Sequence, residues 1–125
     1  MLSVYGARFG LDRETALRVA GAFGGGMGRM GETCGAVTGA FMVIGLKHGK
    51  TKADDDEARE KTYELVNAFV RLFRERNRTI LCRDLLGHDL STEEGREAVA
   101  EQNLILTRCT ALVRDAGEIL EAILG

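Results

Sequence analysis

The sequence predicts an all-α chain, a compact bundle of five or six helices arranged around a central glycine-rich helix. Three observations carry this expectation. The 125 residues contain no proline, the residue that most reliably breaks helices. Apolar residues recur three and four apart over long stretches, which is the period of one helix face. Start and stop signals divide those stretches into lengths that suit globular helices. A chain of this length is expected to be one domain, residues 1–125, with core enough to need no disulfide staples.

Taken in order, Leu2, Val4, Tyr5 and Phe9 read as the end of a helix cut short at its beginning. Asp12 is the expected N-cap, with Glu14 in the first turn, of a helix to Ala22 or Phe23. Its apolar positions are Ala16, Leu17, Ala20 and Phe23. Gly24, Gly25 and Gly26 stop it, because glycine readily takes the positive φ of a helix end. The glycine-rich helix should begin between Gly31 and Cys34 and run to about His48. Gly31, Gly35 and Gly39 recur every four residues, so they are expected to share a face that another helix can approach closely. The apolar run from Val37 to Leu46 is too short to cross a bilayer, which takes about 20 residues. It therefore reads as a buried helix.

Thr51 to Ala53 form a polar link to a helix over Asp55–Arg76, with Tyr63, Val66, Phe69, Val70 and Phe73 on or near its apolar stripe. Asp54, Asp55 and Asp56 at its start and Arg71, Arg74, Arg76 and Arg78 at its end complement the helix dipole. The acidic triplet reads as helix-start charge. Residues 79–90 form a short helical turn closed by Gly87. Ser91 and Glu94 form a capping-box pattern for a helix to about Gln102. Thr107 is the expected N-cap of the last helix, whose Leu112, Val113, Ala116, Ile119, Leu120 and Ile123 repeat at helical intervals.

Several function classes are disfavoured at this level. A formal net charge of −2 offers no field for nucleic acid, whose binding rests on neutralising phosphates. The start MLSVYGARFG lacks the basic flank and long apolar segment of a secretory signal. Three cysteines, an odd number, do not suit an extracellular disulfide framework, so a reducing cytoplasm is expected. Gly26, Gly28 and Gly31 satisfy GxGxxG, but that fingerprint needs a preceding strand, and here the helix-like DRETALRVAGAF precedes it. The pattern CxxCH, used for covalent haem attachment, is absent.

The cysteines are the candidate chemistry. Thiolate is the nucleophile and metal ligand, and helix N-termini and nearby cations favour it. Cys34 follows Thr33 in the first turn of the glycine-rich helix. Cys109 follows Thr107 by two, with Arg108 beside it. Cys82 is flanked by Arg83 and comes shortly after Arg78. Each therefore has a local feature that would lower its pKa, against the plainer reading of a small buried hydrophobe. His88, six residues after Cys82, completes a Cys₃His set of the kind that binds zinc. With no CxxC pair, such a site would be assembled from distant segments. By itself His88 reads as a turn histidine, and His48 as a charge matched to a helix end.

The stretch GAFGGGMGRMGETCGAVTGAFMVIGLKHG, followed by LCRDLLGHDLS and TRCTALVRDAGEIL, resembles the redox-active proteins named for their C_GCAxxG_C_C cysteine pattern. The likeness covers nearly the whole chain. Of the four cysteines in that pattern, three match, at Cys34, Cys82 and Cys109. The resemblance implies a small helical protein with a redox or metal role. The first cysteine of the pattern falls in a helix shortly before the position of Leu2. The expectation is that an N-terminal segment of the family domain lies upstream, hidden by a UGA codon read as a stop, since the family includes selenoproteins. Upstream DNA with no in-frame Cys or UGA codon near that point would refute this.

Three functional readings follow. In the first, the chain is a thiol-based redox protein with Cys34 as the most reactive thiol. Cys82 and Cys109 resolve or pair, and a redox partner supplies or takes the electrons. In the second, Cys34, Cys82 and Cys109, with His88 or an outside ligand, hold zinc or an iron–sulfur cluster. In the third, the chain is a structural helical module with inert cysteines. The glycine faces also suit self-association into a homo-oligomer.

Overall fold

The computed structural model describes residues 1–124, and seven α-helices make up most of them. They are α1 (Leu2–Tyr5), α2 (Arg13–Ala20), α3 (Gly35–His48), α4 (Asp56–Asn77), α5 (Cys82–Leu86), α6 (Glu93–Glu101) and α7 (Thr110–Leu124). A 3₁₀ turn, Gly6–Phe9, follows α1, and a π-helical turn, Ile105–Cys109, leads into α7. Among the described residues there is no strand, only an isolated antiparallel bridge between Thr33 and Leu81. The all-α expectation is met. The helix number exceeds five or six because α1 and α5 stand as separate short helices. Left-handed Gly10 closes the turn after α1, and left-handed Gly87 closes α5. No helix among the described residues is long and apolar enough to cross a membrane.

The local signals mostly sit where the residues put them. The Asp12 carboxylate accepts from the Thr15 N–H at 3.0 Å, and Asp55 accepts from Ala58 at 3.1 Å, each capping its helix. Two caps moved by one residue. Thr92, not Ser91, accepts from the Gly95 N–H at 2.9 Å, because the Ser91 hydroxyl and N–H are both engaged by Asp89. Cys34, not Thr33, is the residue preceding α3, because Thr33 is taken up in the bridge to Leu81.

Helix α3 is apolar nearly all round and buries Ala36, Val37, Thr38, Gly39, Ala40, Val43 and Ile44. It packs on α1, α4 and α7, as expected of a helix with no polar face. The buried Thr38 hydroxyl donates to the Gly35 carbonyl at 3.3 Å. Facing it, Phe69 and Phe73 of α4 stack at 5.9 Å between centroids, and Phe41 meets Phe69 edge-on at 6.1 Å. Gly39 admits Met1 so closely that a Cβ there would lie 2.8 Å from the Met1 Cβ. Gly31 does not share this face, since it lies before the helix with φ 70°. Helix α2 ends at Ala20, and Leu17 is 52% exposed; Tyr63 on α4 is 56% exposed. Both point away from the core.

A second, smaller apolar cluster holds Cys82, Leu86, Leu90 and Val99, with Leu104 and Cys109 packed against it. Helix α5 joins the two cores, giving Leu85 to the main one, which includes Cys34, and Cys82 and Leu86 to the smaller one.

Candidate thiol site

Three segments distant in sequence deliver the three cysteines to one region. The Cys34 N–H donates to the Ile80 carbonyl at 2.8 Å, and the Cys82 N–H donates to the Glu32 carbonyl at 2.6 Å. These two bonds flank the Thr33–Leu81 bridge. In an antiparallel pair, the residues on either side of a bridge turn to its other face. Cys34 and Cys82 are therefore diagonal neighbours there, a relation that places Cα atoms roughly 7–8 Å apart. Each cysteine then opens a helix, Cys34 as the residue before α3 and Cys82 as the first residue of α5.

The glycine run makes this approach possible. Gly25, Gly26, Met27, Gly28 and Arg29 all have φ between 60° and 69°, so five consecutive residues are left-handed. L-residues take that conformation only at a cost, and rarely in succession. The turn folds the chain back so that the Glu32 N–H reaches the Gly26 carbonyl at 3.0 Å. Gly26 is buried against Cys82, and a Cβ on it would lie 2.7 Å from the Cys82 Cβ and 2.6 Å from the Glu32 nitrogen. Only glycine fits between them.

Cys109 arrives on the π-helical turn. Thr107 does not cap α7; it lies inside this turn, and its hydroxyl donates to the Asn103 carbonyl at 3.0 Å. Cys109 is half-buried, whereas Cys34 is 9% exposed and Cys82 7%. All three are free thiols.

Burial dominates the electrostatics of all three thiols. Burial pushes the Cys82 thiol up to about 11, and negative charge on Cys34, Cys109 and Asp89 adds to the effect. Burial also raises Cys109, with Cys34 charge adding and Arg108 opposing. Cys34 is raised by burial, against the Ala36 and Val37 N–H groups and the Arg108 guanidinium. The expectation that local features would lower each pKa is thus overturned, because removing a thiolate from water outweighs those features. Arg83 does not offset the shift at Cys82; it pairs with Glu32 at 3.3 Å. Charge on Cys34 opposes both other thiolates, and charge on Cys109 opposes Cys82.

Arg108 is the organising cation. Its Nε donates to the Leu85 carbonyl at 3.3 Å, which holds the guanidinium where it acts on both Cys34 and Cys109. His88 is half-buried in the turn after α5. Among the described residues, no group of three or more His, Cys, Asp or Glu is arranged to hold a metal ion. Cys34, Cys82, Cys109 and His88 form no such group.

Two parts of the site escaped the sequence reading. Gly26 was visible as a helix stop, but not as the seat of Cys82. The bridge that pairs Cys34 with Cys82 involves single residues, too few to leave a period of two. The GxGxxG pattern leads into this bridge, and helix α2 rather than a strand precedes it. No curated protein and no solved structure matches the chain. The family described as "Putative redox-active protein (C_GCAxxG_C_C)" matches residues 1–123, and the chain belongs to that family.

Proposed function

We propose that the chain is a thiol-based redox protein whose exchanging pair is Cys34 and Cys109. The observation that carries this reading is the convergence of three free thiols from three separate segments, with Cys34 and Cys82 flanking one bridge and Cys109 packed against the cluster that holds Cys82. Cys109, the most exposed of the three, is the thiol a substrate reaches. Its thiolate, favoured by Arg108, attacks one sulfur of a substrate disulfide. A bond forms between Cys109 and that sulfur, the substrate S–S bond breaks, and the leaving thiolate takes a proton from water. Cys34, whose thiolate the Ala36 and Val37 N–H groups and Arg108 favour against burial, then attacks the Cys109 sulfur and releases the second substrate thiol. Two electrons pass to the substrate and a Cys34–Cys109 disulfide remains. A low-molecular-weight thiol or dithiol returns it to the reduced state.

The role expected for Cys34 is thereby divided, with the resolving attack at Cys34 and access at Cys109. Cys82, pushed up to about 11, stays protonated at neutral pH and is the poorest nucleophile. Both cores share α5, which supports reading residues 1–125 as one helical domain. A reducing compartment such as the cytoplasm would keep the pair in use. The test is a thiol count by alkylation and mass after equilibration with a small disulfide. The count should fall from three to one without dimer formation, and an unchanged count contradicts the reading.

A further inference from the structure

A cleft of about 540 Å³ opens between the left-handed glycine turn and α6. That volume falls in the range, roughly 300–1,000 Å³, usual for small-molecule sites. Leu90, Val99, Ala100 and Ile105 give it an apolar wall, and Arg29 and Arg96 bring two cations. Among the described residues no carboxylate lines it. Arg29 has no ion-pair partner among the described residues. Arg96 spends one N–H on the Leu90 carbonyl at 3.0 Å, and a guanidinium has five to offer.

No cysteine is among the described residues lining the cleft, but its wall is continuous with the elements that carry two of the thiols. Leu90 and Val99 belong to the apolar cluster that includes Cys82 and carries Cys109 against it. Ile105 begins the π-helical turn that Cys109 ends. Arg29 itself is left-handed, with φ 68°. An L-residue takes that conformation only at a cost, and such strained positions cluster at ligand clamps and active sites.

We propose that this cleft binds a small disulfide that is both apolar and anionic, with its carboxylate on Arg29 and Arg96 and its body on Leu90, Val99 and Ile105. The proposal rests on the thiol-exchange reading and names the substrate class for it. Paired guanidiniums recognise carboxylate by charge-assisted hydrogen bonds, and the apolar wall accepts the remainder. Cys109 attacks one sulfur and releases one thiolate, and Cys34 then displaces the second. Two thiols are released for each protein disulfide formed.

The test compares an anionic aromatic disulfide, dithiobis(nitrobenzoate), with a neutral one, dithiodipyridine, by stopped-flow release of aryl thiol. Arg29→Gly removes the cation at a position whose φ glycine adopts freely, so folding is preserved; Arg96→Gln is the second variant. Each should raise the half-saturating concentration of the anionic reagent about tenfold and leave the neutral reagent within about twofold. Arg71→Ala, on the exposed face of α4, should change neither. Equal effects on both reagents, or none on the anionic one, overturn the proposal. Nitrobenzoate, which has no sulfur, separates the cleft from the chemistry. Saturable amide shifts in the glycine turn and α6, lost in Arg29→Gly, support the anion site. Absence of such shifts in the wild type overturns it. Saturable nitrobenzoate binding with no aryl thiol released from either disulfide overturns the exchange reading alone.

Discussion

Replacing Gly26 by alanine tests how the glycine turn supports the thiol site. Gly26 has φ 69°, and an L-residue there costs about 1–2 kcal/mol on backbone grounds. The new Cβ would lie 2.6 Å from the Glu32 nitrogen, 2.7 Å from the Cys82 Cβ and 2.9 Å from the Glu32 oxygen. Two of these three atoms are backbone, so no flexible side-chain end can yield. Overpacking of this kind costs typically about 1–3 kcal/mol, for a total of roughly 2–5 kcal/mol. Gly87→Ala is the control, because Gly87 has φ 70° but no atom within 4 Å of its added Cβ. It should lose only the backbone part, roughly 1–2 kcal/mol. Urea denaturation of both reduced variants gives the comparison directly. Gly26→Ala should also speed alkylation of Cys82, since the Cys82–Glu32 backbone bond lies where the chain must move. Equal destabilisation of the two variants, within about 0.5 kcal/mol, with Cys82 alkylation unchanged, would refute the close approach as the reason for glycine.

Other outcomes follow from the same geometry. The folded Cys82 pKa is raised, so its contribution to stability is complete below the unfolded pKa and is lost as pH rises through about 11. Wild type should lose on the order of 1 kcal/mol more than Cys82→Ser between pH 9 and about 11, after allowance for solvent screening. Arg108→Gln should slow alkylation of Cys34 and Cys109 at neutral pH by severalfold, displacing both pH–rate profiles upward, because it removes the cation that opposes burial at both. Thr92→Ala should cost about 1 kcal/mol in urea denaturation as a lost N-cap; Ser91→Ala should cost less. Phe69→Ala should cost about 3–5 kcal/mol, since the ring is fully buried between Phe41 and Phe73.

The helices were legible where their signals are local. Asp12 and Asp55 cap as their side chains allow, Gly87 ends α5, and the apolar run through Val43 and Ile44 is buried in α3. Errors arose where tertiary contacts decide between adjacent residues. Asp89 engages Ser91 and leaves the cap to Thr92, and Leu81 engages Thr33 and leaves Cys34 at the head of α3. Leu17 and Tyr63 keep helical spacing but face outward, because periodicity alone does not fix the centre of a stripe. The three cysteines could be named from sequence, and their gathering could not. It depends on a left-handed turn, an isolated bridge and a π-helical turn, none of which has a period. The pKa expectations failed for a related reason, since sequence shows neighbouring arginines but not the burial that outweighs them.

The central claim is that Cys34 and Cys109 form the exchanging pair. The most direct measurement is peptide mapping by mass spectrometry of protein oxidised with one equivalent of a small disulfide and then alkylated under denaturing conditions. The expected product is one intramolecular Cys34–Cys109 linkage with Cys82 alkylated, unchanged in Cys82→Ser and lost in Cys34→Ser or Cys109→Ser. A dominant linkage through Cys82, or disulfides found only between chains, would contradict it.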